Sequence, residues 1–213
     1  MINQFAADLR NIPSSLSQLD GAEEFQGKAR FNVCSGQDVP GIYTNDSGKP
    51  CWSAFRWGYH PHYAHGGQVL INAKIEEVAS DSFFRGALSG RRCIIPASGW
   101  YESHGVPPDP YYVSRSDGSL LLIGGVWVEN NVGKMTMAML SEPSRPDAGN
   151  LKDRMPLCLS EDCINAWLSP ELADRDELRK EIKRIDVTLL TNWQVSNRVL
   201  SMSYDDAGLI ERV

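Results

Sequence analysis

Two polar side chains stand where the surrounding sequence is apolar. Asn72 lies within the aliphatic run 69–73, and Glu102 directly follows Trp100 and Tyr101. An amide among aliphatic residues either satisfies backbone groups or points into a pocket. Partial loss of hydration beside aromatic rings suits a carboxylate to proton transfer near neutral pH. Each residue therefore has two interpretations, one structural and one catalytic.

A basic cluster, Lys152-Asp153-Arg154, directly precedes an apolar segment. Arginine binds phosphate through two parallel hydrogen bonds and lysine binds it as a point charge, so this cluster predicts a phosphate site. The alternative is that Asp153 pairs with Arg154 at the surface. Asn32, in a polar loop that also carries the thiol of Cys34, is a further candidate for a pocket residue.

Three histidines, His60, His62 and His65, lie close together in the sequence. Imidazole nitrogens bind zinc. However, a metal site usually combines ligands from separate elements, and Pro61 favours an irregular loop with exposed histidines. We therefore predict no metal site and no cofactor.

Strand patterns dominate the first two thirds of the chain, and helical patterns appear in the last third. The predicted strands, separated by Gly, Pro and Asn/Asp clusters, are 51–57, 68–75, 92–96, 111–115, 119–128 and 134–141. A short helix is predicted after Ser80-Asp81, and two more are predicted to begin at Ser160 and at Ser169-Pro170, the last running to residue 182. Two strands, 187–191 and 199–203, close the chain. These patterns predict a single α+β domain over residues 1–213.

Composition narrows the class of protein. The chain has 213 residues and a formal net charge of −6, which excludes non-specific coating of nucleic acid and leaves a local basic groove as the alternative. The longest apolar run, 120–128, is far shorter than the roughly 20 residues that cross a bilayer, and the first ten residues lack the apolar core of a signal peptide. Five cysteines without a CxxC pair predict free thiols. We expect a cytoplasmic monomer with no membrane partner.

Several short motifs, taken in order, resemble the SOS-response-associated peptidase (SRAP) family, whose members recognise abasic sites in single-stranded DNA. They span essentially the whole chain and are Phe5-Ala6, Arg30-Phe31-Asn32-Val33, Trp57-Gly58-Tyr59, Ile71-Asn72-Ala73-Lys74-Ile75-Glu76, Gly99-Trp100-Tyr101-Glu102, Asp153-Arg154-Met155-Pro156-Leu157 and Val195-Ser196. The resemblance implies an α+β fold of mainly antiparallel sheets that form an open barrel with flanking helices. It also implies a basic cleft for single-stranded DNA and a function in the DNA-damage response.

The resemblance also implies roles for individual residues. In this family, a cysteine directly after the initiator methionine becomes the N-terminus, and its thiol and α-amine condense with the ring-opened sugar aldehyde to form a thiazolidine. By motif position, Asn72 would hold the N-terminal amine or the sugar, and Glu102 would transfer protons. The residues implied to contact nucleic acid are Asn32 in the same pocket, Tyr63 as a stacking face, and Lys74 and Arg154 on phosphates.

The sequence departs from the family pattern at the chemistry itself. Ile2 stands at the position of the cysteine, Asn3 and Gln4 replace Gly and Arg, and Lys152 replaces the motif histidine. Without a 1,2-aminothiol, no thiazolidine can form. Removal of an initiator methionine generally needs a small second side chain, so Ile2 also predicts that Met1 is retained.

Several activities stay open at this point. The Lys152 amine or the Met1 α-amine can form a Schiff base with an aldehyde, which would give abasic-site lyase or reversible crosslinking chemistry. The Cys34 thiol can form at most a reversible thiohemiacetal. A non-catalytic DNA-binding or interaction module with the same fold is the alternative. Peptide hydrolysis lacks a recognisable Ser-His-Asp or Cys-His arrangement. Whether the chain is an enzyme is therefore left open by the sequence.

Overall fold

The structure, a computed structural model, describes residues 2–64, 67–84, 86–106, 108–145 and 151–213. Strands make up most of its regular structure. In chain order they are β1 (Gln4–Asp8), β2 (Ala29–Cys34), β3 (Asp38–Thr44), β4 (Pro50–Trp57), β5 (Asn72–Lys74), β6 (Arg92–Ala97), β7 (Gly99–His104), β8 (Asp109–Arg115), β9 (Leu121–Glu129), β10 (Met135–Pro143), β11 (Arg154–Pro156), β12 (Cys158–Leu159) and β13 (Leu190–Gln194).

The helices are short. They are α1 (Ser14–Ser17), α2 (Ala22–Phe25), α3 (Ala87–Gly90), α4 (Ile164–Leu168) and α5 (Arg175–Glu181). Further 3₁₀ turns cover Ser82–Phe84, Glu161–Cys163, Val187–Leu189, Asn197–Leu200 and Ala207–Ile210. No helix among the described residues is long and apolar enough to span a membrane.

The smaller sheet is antiparallel throughout and has the strand order β13-β8-β7-β1-β2. The N-terminal strand β1 lies inside this sheet between β2 and β7, with Phe5 paired with Trp100 and Ala6 paired with Gly99. A Cβ atom on Gly99 would lie only 2.4 Å from the carbonyl oxygen of Val113. A residue without a side chain is therefore needed at the start of β7, and the strand carries Glu102 from there.

The larger sheet has the order β11-β10-β4-β3-β6-β9-β12, with β5 attached to β10. Because β10 also pairs with β9, the pairings among β10, β4, β3, β6 and β9 return to their starting strand. Strand β10 runs parallel to β4 and β5, whereas the other pairs in this sheet are antiparallel. The predicted α+β class with mainly antiparallel sheets is confirmed, although the larger sheet is not a regular barrel.

Alternation along the strands buries both faces of the larger sheet. Ile94 packs in a cluster with helix residues such as Trp167, whereas its neighbour Ile95 packs in a second cluster with Phe5 and Trp100 of the smaller sheet. Full burial of a large apolar side chain contributes about 1.5 to 3 kcal/mol. The second cluster therefore fixes the smaller sheet, and with it the N-terminal strand, against the larger one.

Some local predictions are wrong for identifiable reasons. Residues 199–203 form no strand, because their carbonyl groups accept hydrogen bonds from the side chain of Asn32. The last helix begins only at Arg175, because the Asp174 side chain caps it by accepting from the backbone N–H groups of Asp176 and Glu177. The predicted strand 68–75 is reduced to β5.

Candidate functional site

A cavity of about 170 Å³ lies at the beginning of the chain, between β7 and the segment that leads into β11. Its wall combines residues from three separate parts of the sequence. They are Ile2, Asn3, Trp100, Tyr101, Glu102, Ser103, Lys152 and Arg154. Three of the residues singled out from the sequence, Glu102, Lys152 and Arg154, therefore line one cavity.

Glu102 is held by nitrogen atoms around its carboxylate. The indole Nε1 of Trp100 donates to Oε1 at 3.1 Å, and the backbone N–H of Lys152 donates to Oε2 at 3.0 Å. Nε2 of His104 lies 3.5 Å from Oε2. The residue is only 6% exposed. A carboxylate fixed in this way at a cavity wall is positioned to accept and return protons.

His104 is a residue that the sequence interpretation missed. It stands two positions after Glu102 on β7, and successive residues of a strand alternate between its faces, so the two side chains lie on the same face. Its ring also packs edge-on against Tyr111, with the centroids 5.1 Å apart. The signal available in the sequence was the spacing, because His104 stands two residues after the candidate carboxylate Glu102.

Asn72 fixes the backbone at the start of the chain. Its Nδ2 donates to the carbonyl oxygen of Ile2 at 2.6 Å, and its buried Oδ1 meets no donor in the described part of the chain. Ile2 itself is only 4% exposed and packs in the same apolar cluster as Phe5 and Trp100. Asn72 is therefore linked to the cavity through Ile2, and an aliphatic side chain occupies position 2.

Lys152 uses its backbone and its side chain differently. Its N–H holds Glu102, and its carbonyl oxygen accepts a hydrogen bond from the Ser144 hydroxyl. The residue as a whole is exposed and lines the cavity. The backbone of Lys152 is thus fixed by two hydrogen bonds, and the exposed residue forms part of the cavity wall.

Arg154 does not present a free guanidinium to the cavity. Its Nη1 and Nη2 donate to the two carboxylate oxygens of Glu76 at 2.6 and 3.0 Å, and Nε and Nη2 also donate to Ser141. The hydrogen bonds from Arg154 hold the pKa of Glu76 below its usual value, against a smaller opposing effect of burial. Among the ion pairs of the described residues, Arg154 pairs with Glu76 and not with the adjacent Asp153. Nζ of Lys74 similarly lies 2.8 Å from a carboxylate oxygen of Glu77.

Asn32 and Tyr63 lie outside the lining of the cavity. The Asn32 Nδ2 donates to the carbonyl oxygens of Ser201 and Tyr204, both at 3.0 Å, and its Oδ1 accepts from Gln4 at 3.1 Å. The Tyr63 hydroxyl donates to the Phe83 carbonyl oxygen at 2.7 Å. Asn32 thus ties the C-terminal segment to β2.

Replacing Asn32 with alanine is expected to lower the free energy of unfolding by about 2 to 3 kcal/mol, because carbonyl groups of the C-terminal segment lose their donor. Urea denaturation measures the change. Asn11→Ala, at an exposed asparagine, is the matched control and should stay within about 0.5 kcal/mol of the parent protein. Equal stability of both variants would show that the hydrogen bonds from Asn32 to the C-terminal segment do not stabilise the fold.

The cysteines and the histidines of segment 60–65 are the remaining candidates from the sequence. All five cysteines are buried free thiols, and Cys34 is not part of the cavity lining. Nδ1 of His60 lies 3.0 Å from the Gln68 carbonyl oxygen, whereas His65 lies outside the described residues. Among the side chains that the structure describes, no group of three or more His, Cys, Asp and Glu residues is arranged to hold a metal ion.

The buried amide of Asn72 and the buried carboxylate of Glu102 thus lie beside the second residue of the chain, within an α+β fold. The model of the family described as SOS response associated peptidase (SRAP) matches residues 3–202. The chain therefore belongs to the SRAP family.

Curated relatives agree with this assignment, and a solved structure shares the fold. The chain is 28% identical over 191 residues to the abasic site processing protein YoqW of Bacillus subtilis (strain 168), covering 85% of each chain. It is 29% identical over 154 residues to the abasic site processing protein YedK of Escherichia coli (strain K12), covering 69% of this chain and 68% of YedK. A crystal structure of a Bacteroides thetaiotaomicron protein shares the fold with a TM-score of 0.80 at 21% identity, covering 99% and 98% of the two chains.

Proposed function

We propose that this protein is a single-domain cytoplasmic monomer that binds abasic sites in single-stranded DNA, as part of a DNA-damage response. The observation that carries the proposal is the cavity beside Ile2, where Glu102, Lys152 and Arg154 meet. The names of the curated relatives, which are abasic site processing proteins, support the same substrate class.

The chemistry proposed for this cavity uses an amine in place of a thiol. The residue at position 2 is isoleucine, which supplies no thiol, so a thiazolidine is not formed. Lys152 Nζ, once deprotonated, attacks the aldehyde carbon of the ring-opened sugar and forms a C–N bond. The carbonyl oxygen then leaves as water and a Schiff base results. Glu102 takes the proton from the ammonium and returns it to the departing oxygen.

Direct binding tests the substrate class. Labelled single-stranded oligonucleotides, one with a central abasic site and one intact, are titrated with the protein and followed by fluorescence anisotropy. We expect tighter binding of the abasic strand. We also expect affinity to fall with salt, at a slope of about −0.7 for each phosphate contacted. Equal affinity for both strands, or no binding at low salt, would contradict the proposal.

A second candidate function is a binding module that does not engage DNA phosphates at this cavity. One observation favours it: Arg154 and Lys74 both lie on carboxylates, those of Glu76 and Glu77. If the protein binds DNA at this cavity, an incoming phosphate must displace the Glu76 carboxylate from Arg154. If the protein is instead a binding module of the second kind, the Glu76–Arg154 pair stays intact when the partner binds.

The substitution Glu76→Gln separates the two candidates. If a phosphate competes with Glu76 for the guanidinium of Arg154, removal of the acid should tighten binding of single-stranded DNA. We expect a change of about fivefold, which corresponds to about 1 kcal/mol. The control is Glu23→Gln, an exposed acid on α2 that should leave affinity unchanged. Unchanged affinity in both variants would favour the binding module.

A further inference from the structure

A second cavity, of about 190 Å³, lies beside α5 and is separate from the cavity at Ile2. We call it the arginine-rimmed pocket. Its apolar lining is aliphatic and consists of Ile75, Leu88, Leu157, Leu178 and Ile182. Arg175, Arg179 and Arg184 also line it, together with Glu76.

Helix α5 turns basic residues, and none of its acidic residues, toward this pocket. Arg175, Leu178, Arg179 and Ile182 are spaced by three and four residues, so they lie on one face. The acidic residues of the helix fall on its other faces, at Asp176, Glu177 and Glu181. The face toward the pocket therefore combines aliphatic side chains with charged side chains that are all basic.

Two of the three guanidinium groups keep their charge uncompensated. Arg175 donates to the backbone carbonyl oxygen of Glu76 at 3.1 Å, which is a neutral partner. None of the ion pairs between described residues involves Arg175 or Arg179. Arg184, in contrast, is paired with Glu142 at 2.7 Å.

Glu76, the one acid among the described residues that line the pocket, does not form an ion pair with Arg175 or Arg179. The carboxylate of Glu76 is held by both terminal nitrogens of Arg154. In a chain of net charge −6, two exposed arginines beside an aliphatic pocket form a local site for anions. Arginine binds carboxylates through two parallel hydrogen bonds.

Size and lining decide what kind of anion fits. The pocket is smaller than the roughly 300 to 1,000 Å³ that encloses a small-molecule ligand, and it suits a single side chain. None of the described residues that line it is aromatic, so they offer no stacking surface of the kind on which proteins usually bind nucleobases. An aliphatic floor with an arginine rim matches a peptide that combines an apolar anchor with carboxylates.

We propose that the arginine-rimmed pocket docks an acidic peptide segment of a partner protein. One apolar side chain of the peptide enters between Leu178, Ile182 and Leu88, and neighbouring carboxylates bind Arg175 and Arg179. This pocket is distinct from the cavity at Ile2, but Glu76 connects the two, because it lines the pocket and pairs with Arg154 of the cavity.

The test uses the full chain and a short fluorescein-labelled peptide in which several aspartates precede one leucine. Anisotropy should show saturable binding that is lost when the leucine of the peptide is replaced by serine. The double variant Arg175→Ala/Arg179→Ala should weaken binding at least tenfold. Lys180→Ala, an exposed cation on another face of the same helix, should change it less than twofold.

Three results would overturn the proposal. They are no binding of the peptide, equal weakening by Lys180→Ala and by the double variant, or displacement of the peptide by an intact single-stranded oligonucleotide, which would assign the pocket to nucleic acid. Thermal melting checks that the double variant is folded. If it is not, Arg179→Ala alone, at an exposed residue, should still weaken binding several-fold.

Discussion

Replacing Arg92 with leucine is expected to lower the free energy of unfolding by about 2 to 4 kcal/mol. Arg92 is only 4% exposed, and its guanidinium donates to the carbonyl oxygens of Leu88 at 2.6 Å, Trp167 at 2.5 Å and Ser169. Burial lowers the pKa of Arg92 to about 10, so it remains charged at neutral pH. Leucine relieves the buried charge but leaves the carbonyl groups without a donor, and this second effect dominates.

Chemical denaturation of Arg92→Leu and Arg91→Leu measures this effect. Arg91 is the adjacent arginine and is exposed, so its replacement should change stability by less than about 0.5 kcal/mol. The two variants remove the same charge and add the same side chain. If they are equally stable, the contacts that Arg92 makes between β6 and the C-terminal end of α4 are not needed for the fold.

The second large effect is expected at Glu102. The substitution Glu102→Gln should slow formation of a borohydride-trapped adduct with abasic single-stranded DNA by about 10²-fold, since a positioned proton-transfer group contributes that much or more. Glutamine keeps the shape of the side chain but cannot take a proton from Lys152. Its amide nitrogen would also face one of the two donors that now bind the carboxylate, Trp100 Nε1 or the Lys152 backbone N–H.

Time courses quenched with borohydride and resolved on a denaturing gel measure that rate. Glu211→Gln, at an exposed acid near the C-terminus, is the control and should match the parent protein. Thermal melting separates slowed chemistry from loss of fold. A Glu102→Gln variant that is folded and traps at the parent rate would remove Glu102 from the proposed chemistry.

The sequence predicted the sheet-rich α+β class because its strands carry β-branched residues between turn residues. It also singled out Glu102, whose neighbour Trp100 proves to donate directly to the carboxylate. Both inferences rest on local features of the sequence. Alternation and apolar context are local properties, and a strand transmits them directly to its two faces.

Long-range pairing could not be predicted in the same way. The Glu76–Arg154 pair joins residues 78 positions apart, and only the parallel contact of β5 with β10 and the pairing of β11 with β10 bring them together. Residues 199–203 resembled a strand by composition, but hydrogen bonds from Asn32, far away in sequence, determine their backbone. Such contacts depend on topology and not on the local pattern.

The measurement that tests the central claim most directly is trapping on abasic single-stranded DNA, with and without borohydride, followed by a denaturing gel. The proposed chemistry predicts a shifted band only with reductant, with the modified peptide mapping to Lys152 and the band absent in Lys152→Ala. A band that is stable without reductant, or no band in either lane, would contradict capture of the aldehyde by Lys152 at the cavity beside Ile2.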